Sequence, residues 1–255
     1  MDRIVKTFND TFSSVGIVVF LSTLFLYMAS AEREFPVASV SVPRYEGNVS
    51  IDGVLDEASW ERAMVLKPLV KNGDGERGLY RTQVRLFASD EALYIGWEID
   101  DDDIQATFTA RDSHFWEEEV VEFFLATNEI TDYFEFQWNP LGGIFDARIR
   151  NRLGRDGKSK GIEGDWSYTA AKMKSRVQVN GTVANDTDTD HGWVVEVAIP
   201  YSDLGIAPPK KGTQWRANFY RFNRGGSVSV EKQSWSPTLD PSFHQPSRFG
   251  ILRFD

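Results

Sequence analysis

The chain has no cysteine and only three histidines, His114, His191 and His244. Disulfides, thiolate metal sites and cysteine nucleophiles are therefore excluded together, and a multi-histidine metal centre has too few ligands. Basic residues are in deficit, with 28 Lys and Arg against 38 Asp and Glu for a net charge of −10. That balance argues against a nucleic-acid partner, because phosphate recognition needs clustered cations. Several catalytic signatures are missing as well: the G-x-S-x-G elbow, the H-E-x-x-H zinc motif, the P-loop and the dinucleotide glycine fingerprint. No His is placed beside a Ser and an acid in a way that would suggest a nucleophilic triad. Apart from one segment near the N-terminus, long apolar runs are absent too.

That segment reads as an export signal. Arg3 and Lys6 precede an almost unbroken apolar run from Val15 to Met28, and Ala29-Ser30-Ala31 supplies a small-residue cleavage site. The run is shorter than the ~20 residues of a spanning helix. Asp2 and Asp10 offset the two cations, so an uncleaved anchor stands as the alternative. The expected division is a signal peptide at 1–31 and one domain at 32–255, secreted or periplasmic, with no stable membrane insertion after cleavage.

Aromatic residues are abundant: eight Trp, eight Tyr and 18 Phe within 255 residues. Such a chain can bury a substantial core and is not intrinsically disordered. Its apolar residues alternate with period two. Leu93, Ile95, Trp97 and Ile99 share one face, as do Trp193, Val195, Val197 and Ile199. Phe134, Phe136 and Trp138 oppose Tyr133, Glu135, Gln137 and Asn139, while the tail from Phe249 to Phe254 reads as a closing strand. Strands of this kind separated by turns predict an all-β fold, an antiparallel, jelly-roll-like β-sandwich of two packed sheets with short helical turns. Asp56 and Ser202 are candidate caps for two such turns. The glycine-rich, basic stretch from Arg148 to Gly164 reads as a long hairpin loop, either a solvated tip or a contact for acidic sugar.

The aromatics sort by context. Trp97, Trp138 and Trp193 fall in alternating runs and are assigned to the core, and Trp60 packs a helical turn onto a sheet. Trp116 lies instead in Asp112-Ser-His-Phe-Trp-Glu-Glu-Glu119, outside any alternation. A Trp in polar context can serve as a flat platform for the C–H face of a sugar. The acid runs Asp100–Asp103 and Glu117–Glu119 read as solvated strand ends, with calcium as the competing reading.

Several segments in order resemble the family 9 carbohydrate-binding modules and their single-domain relatives. They are Ile51-Asp-Gly-Val-Leu-Asp-Glu-Ala-Ser-Trp60, Ala92 to Asp101, Trp116-Glu-Glu-Glu-Val-Val-Glu-Phe-Phe-Leu125 and Tyr133 to Asn139. Gly192-Trp-Val-Val-Glu-Val-Ala-Ile-Pro200 with its continuation to Leu204, Trp215 to Arg221, Ser234 to Pro237 and Phe243-His-Gln-Pro-Ser-Arg-Phe-Gly250 complete the series. The resemblance implies a β-sandwich that holds sugar between two aromatic rings over a concave sheet. The ring positions correspond to Trp116 and Phe243, and the polar partners to Glu122, Gln137 and Asn139. Gln137 stands where the family's sugar binders place an Arg, and Phe243 where they place a Trp. On that pattern Phe243→Trp is expected to keep or strengthen binding.

The resemblance also implies a non-catalytic, carbohydrate-binding role, association with glycoside hydrolases in carbohydrate breakdown, and structural calcium. Two other functions stay open on the residues. A glycosidase would need two carboxylates about 5–10 Å apart in one pocket. A haem domain would need axial ligands on facing strands, with His191 and His244 as the candidates.

Overall fold

The computed structural model describes residues 35–185, 187–225 and 230–255. The export segment and its cleavage site lie outside the described residues. Residues 37–255 form one compact unit. Its fourteen strands are β1 (Ser39–Val42), β2 (Met64–Val65), β3 (Val70–Lys71), β4 (Thr82–Ala88), β5 (Ala92–Ile99), β6 (Val120–Ala126) and β7 (Asp132–Trp138), followed by β8 (Ile144–Leu153), β9 (Ser159–Asp165), β10 (Lys174–Asn180), β11 (Gly192–Pro200), β12 (Gln214–Asn223), β13 (Glu231–Ser234) and β14 (Gly250–Phe254). Among the described residues helix is confined to α1 (Ala58–Glu61), α2 (Tyr201–Leu204) and two 3₁₀ turns at Phe115–Glu117 and Pro246–Arg248. Among the described residues no helix is long and apolar enough to cross a membrane.

The strands make two sheets. The larger runs β1-β14-β12-β6-β7-β8-β9, with β13 alongside β12 and β3 beyond it; the smaller runs β10-β11-β5-β4-β2. Only β1 with β14 pairs in parallel among the named strands. The expected sandwich is therefore the observed one.

Both sheets bury their alternating faces against each other. Trp97, Trp138 and Trp193 are at most 2% exposed, as the alternation requires. Phe219 stacks on Phe123 at 4.9 Å and meets the edge of Trp97 at 5.5 Å, joining the two layers. Trp60 packs α1 onto the outer side of the smaller sheet, edge-on to Phe87 at 4.9 Å. Its indole N–H donates to Glu196 Oε1 at 3.0 Å, while Glu196 Oε2 accepts from the Asp52 and Gly53 amides, both at 2.8 Å. Gly53 has φ of +90°, and a Cβ there would press into Gln178, so the Ile51-Asp-Gly turn needs its glycine.

Four local readings change. Glu57 and Pro200, not Asp56 and Ser202, occupy the N-cap positions of α1 and α2, and no side chain caps either helix. The stretch from Arg148 to Gly164 is mostly strand, the paired β8 and β9, with only 154–158 as a tip. Arg148, Arg150 and Arg152 are exposed and alternate with Ile149, Asn151 and Leu153, a period-two pattern overshadowed by the stretch's charge and glycine content. Finally, the acid runs are only partly solvated: Asp101 and Glu119 are buried around Arg221.

The larger sheet is buried on its second face also. There Phe115, Phe124, Tyr133, Phe145, Tyr220, Phe222, Phe243 and Phe249 form a separate apolar cluster beneath the segments carrying Phe115 and Phe243–Phe249. This second layer positions the candidate site.

Candidate functional site

Strand register builds the site. Tyr220 of β12 lies opposite Glu122 of β6, Glu122 opposite Gln137 of β7, and Gln137 opposite Phe145 of β8. One row across four strands thus carries two polar residues between two aromatics. In the next row Phe124 lies opposite Glu135, which places Glu135 diagonal to Glu122 on the same face. The other face of these strands presents Phe123, Phe136 and Phe219 to the sandwich core.

Above this row opens a cavity of about 310 Å³, with Glu122, Glu135 and Gln137 in its floor. Trp116, Phe145, Ile162 and Trp166 line one part; Phe222, Lys232 and the segment from Pro241 to His244 line another. Trp116 stacks on His114 at 4.6 Å and meets Phe145 nearly perpendicular at 5.6 Å. Trp166 leans on Phe145 at 6.1 Å and is 56% exposed. Phe243 is 4% exposed, stacked on Tyr220 at 4.1 Å and edge-on to Phe222 at 4.8 Å. Lys232 Nζ donates to the Pro241 carbonyl at 2.7 Å and sits 4.9 Å over the Phe222 ring.

The floor is electrostatically tense. Glu122 and Glu135 are 2% and 5% exposed. Burial pushes the Glu122 carboxyl well above the usual range; the Glu135 charge adds to this and Lys232 opposes it. Burial also pushes Glu135 up, to about 7, against the hydrogen bond from Gln137. Gln137 Nε2 donates to Glu135 Oε1 at 2.6 Å, which fixes the amide orientation, and its buried Oε1 accepts nothing among the described residues. Tyr133 Oη accepts from Asn151 at 3.3 Å and can donate to His244 Nδ1 at 2.7 Å. That leaves the His244 proton on Nε2, 4.0 Å from Glu135 Oε2. Burial lowers His244 to about 4, so it is neutral at pH 7.

A larger open groove of about 640 Å³ lies between β7–β9 and the end of α2. Its walls hold Arg150 with Asp132, already paired at 3.0 Å, and no tryptophan. Size alone does not make it the better site; the smaller cavity has the aromatic walls and the unmatched polar floor.

Residues 74–254, more than two thirds of the chain, match the family described as Carbohydrate-binding family 9. The chain belongs to this family. Among curated proteins none matches it. Of solved structures, a protein from Bacteroides uniformis ATCC 8492 superposes with a TM-score of 0.66 at 19% identity, covering 86% of this chain and 100% of that one. A family 9 module from Caldicellulosiruptor kristjanssonii in complex with cellotriose gives a TM-score of 0.55 at 16% identity, over 85% and 93% of the two chains. The same organism's module in complex with glucose gives 0.55 at 17%, over 85% and 96%. At these identities the likeness is one of fold.

Against the family pattern, the structure brings Trp116, Phe243, Glu122 and Gln137 to one cavity and leaves Asn139 aside. Asn139 Nδ2 donates to the Phe108 carbonyl at 2.7 Å and Oδ1 accepts from the Gly143 amide at 2.7 Å, so it holds the β7–β8 turn. Phe243 reaches the cavity from the wall, not as an exposed ring. Sequence reasoning missed Trp166, Glu135, Lys232 and His244 as lining. Trp166 had the signal used for Trp116, a Trp in polar context (Glu163-Gly-Asp-Trp-Ser167). Glu135 was on the polar face already read for β7; Lys232 and His244 arrive from distant segments and carry no local signal.

Several acids of the runs read as candidate calcium ligands have partners within the protein. Asp101 is taken by Arg221, Asp102 by Tyr80, and Glu118 by Thr107 and the Phe108 amide. Among the described residues no group of three or more His, Asp or Glu converges as metal ligands. Of the two histidines considered for haem, only His244 lines the cavity, while His191 sits beside the β10–β11 connection with its amide on Asn180.

Proposed function

We propose that the protein is an exported, non-catalytic carbohydrate-binding module that holds a sugar in the cavity above Glu122 and Gln137. The observation that carries this reading is the aromatic-walled cavity built on one row of strand partners, with Trp116 only partly buried at its edge. Apolar rings exclude water from sugar C–H faces, and carboxylate and amide groups meet hydroxyls. Relatives of the same fold in complex with cellotriose and glucose support the ligand class. Export through the segment 1–31, residence outside the cytoplasm, and a role beside a glycoside hydrolase in polysaccharide breakdown extend the proposal.

Calorimetry with the best ligand from a glycan array tests it. Truncating a central aromatic anchor costs ~2–4 kcal/mol, roughly a thirty- to thousand-fold loss of affinity. Trp116→Ala should lose that affinity with an unchanged melting temperature. Retained affinity sinks the aromatic contact; unfolding would show that Trp116 serves the core.

One observation favours a second reading. Glu122 and Glu135 are diagonal neighbours across β6 and β7, a relation that places residues ~7–8 Å apart with Cβ atoms somewhat closer, and both lie in the cavity floor. Two carboxyl groups facing one pocket are what a glycosidase pair requires, at a separation of about 5–10 Å. Release of reducing sugar from the array ligand, abolished in both Glu122→Gln and Glu135→Gln, would establish it; an intact ligand after prolonged incubation would remove it.

A further inference from the structure

The floor of the cavity presents two buried carboxyl groups and a bare amide acceptor with few partners among the described residues. Glu122 accepts no hydrogen bond among the described residues, Glu135 has one amide donor, and Gln137 Oε1 has none. The groups facing them from every surrounding element do not close the balance. Among the described residues Lys232 on β13 is the one cation that lines the cavity; its ammonium is held by the Pro241 carbonyl and lies over Phe222. Arg224, after β12, donates to the Trp116 carbonyl and stands 5.6 Å from the centre of the Phe222 ring. His244 is neutral, and Tyr133 and Tyr220 are kept protonated by burial. Asp240 adds a further anion near Lys232. Across Ser242 and His244, Lys158 and Lys160 border an adjoining groove, where Asp156 neutralises Lys160 at 3.0 Å.

We infer that the cavity takes an amino sugar, its ammonium pairing with Glu135 beside Gln137 Oε1 while its ring packs along Trp116 and Phe145. The inference rests on the carbohydrate-binding reading and narrows its ligand class. An ammonium supplies three donors and no acceptor, which is the complement of this floor. Aromatic walls over a desolvated anion favour a cation in the same space, because ring faces attract positive charge as well as apolar surface. A neutral sugar would satisfy the acceptors through hydroxyls but give Glu135 no counter-charge, so the carboxyl would stay protonated; an ammonium is what lets it ionise in a water-poor site.

Calorimetry at pH 7 with the β-1,4-linked trisaccharides of glucosamine, N-acetylglucosamine and glucose provides the test, since the three differ only in an amine, an acetamide or a hydroxyl at C2. The glucosamine trisaccharide should bind about tenfold or more tighter than the glucose one, the size of one charged hydrogen bond. In a repeat at pH 5, where the amine enters fully protonated and Glu135 still carries its proton, binding of the glucosamine trisaccharide should also release protons, read as a heat that changes with the ionisation enthalpy of the buffer, while the neutral trisaccharides release none. Glu135→Gln should erase both the preference and the release; this isosteric change removes a buried charge, and an unchanged melting profile at pH 5 shows the fold intact. Should that variant fail to fold, Glu122→Gln must weaken the preference instead. Equal affinity for the amine and hydroxyl ligands, or an amine preference untouched by Glu135→Gln, overturns the amino-sugar inference and leaves the carbohydrate reading standing. Failure of all three ligands and of a wider glycan array overturns both.

Discussion

Two pairs of buried acidic side chains, Asp101 with Glu119 and Glu122 with Glu135, have opposite surroundings although Glu119 and Glu122 are only three residues apart. Asp101 and Glu119 close upon Arg221: Nη2 reaches Asp101 at 2.6 Å and Glu119 at 3.8 Å, while Nη1 donates to the Asp100 carbonyl at 3.0 Å. Burial, then the neighbouring charge and hydrogen bond of Asp101, pushes Glu119 well up despite Arg221, so it stays protonated beside Asp101. One cation, one anion and one neutral acid make a balanced cluster, all fully or nearly fully buried. Glu122 and Glu135 are buried almost as completely, yet they border a cavity and find only an amide and a distant ammonium. A buried charge that is matched internally belongs to the fold. An acid left without a counter-charge beside a cavity ionises only at a cost to stability, which a cationic ligand can offset.

Removing the cation breaks the first pair most severely. Arg221→Met leaves Asp101 buried without its partner, and breaking a buried ion pair from one side costs ~3–5 kcal/mol. For a domain of this size each kcal/mol shifts the midpoint by about 2–4 °C, so a fall of roughly 6–20 °C in thermal unfolding is expected. A shift of less than a degree would mean that the cluster is no more costly to open than a surface pair.

The second pair should respond in the opposite direction. Glu135 has its folded-state value raised to about 7 from an ordinary 4.5. Its favourable contribution is thus complete below pH ~4.5 and is lost as the pH rises through 7, because ionisation is easier in the unfolded chain. Glu135→Gln removes that loss. Urea melts should show parent and variant alike near pH 4.5 and the variant more stable by roughly 3 kcal/mol at pH 8. A variant less stable than the parent at pH 8 would show that the carboxylate is matched after all.

Phe243 sharpens the contrast between wall and floor. The family pattern led to the expectation that Phe243→Trp keeps or strengthens binding. The ring is instead wedged between Tyr220 at 4.1 Å and Phe222 at 4.8 Å, with its own carbonyl accepting from Tyr220 Oη at 3.0 Å. A larger ring overpacks this cluster, which costs ~1–3 kcal/mol. Lower stability with weaker binding is now expected, by denaturation and calorimetry on the same sample.

What could be read from the sequence followed period and context. Alternation placed Tyr133, Glu135 and Gln137 opposite Phe134, Phe136 and Trp138, and the structure keeps both faces. The same rule failed at β8, where three arginines fill the exposed positions and charge was taken for loop. It failed again at Asp101 and Glu119, since two separate runs of acids give no sign that one arginine, more than a hundred residues on, will bury one member of each. Asn139 shared the polar face of its strand but lies at the turn, and only three-dimensional placement separates a hydrogen bond to Gly143 from one to a ligand. The cavity's far side, Lys232 and His244, depends on β13 and the closing segment folding over the sheet, a long-range arrangement without a local pattern.

With Phe243 confined to the wall, the exposed partner of Trp116 across Phe145 is Trp166. Both indoles contact that ring, Trp116 at 5.6 Å and Trp166 at 6.1 Å, but Trp166 is 56% exposed and carries no part of either core cluster. Its truncation should therefore leave the melting temperature unchanged, as surface substitutions generally stay within ±0.5 kcal/mol. A rim position is worth less than a central anchor, so Trp166→Ala is expected to weaken sugar binding about fivefold, near 1 kcal/mol. The comparison with Trp116→Ala decides the geometry of the site. A loss equal to that of Trp116→Ala would make the two tryptophans the clamp and reduce Phe243 to packing. No loss at all would place the sugar deeper, against Phe145 and the carboxylate floor, with Trp116 as the one exposed ring that it meets.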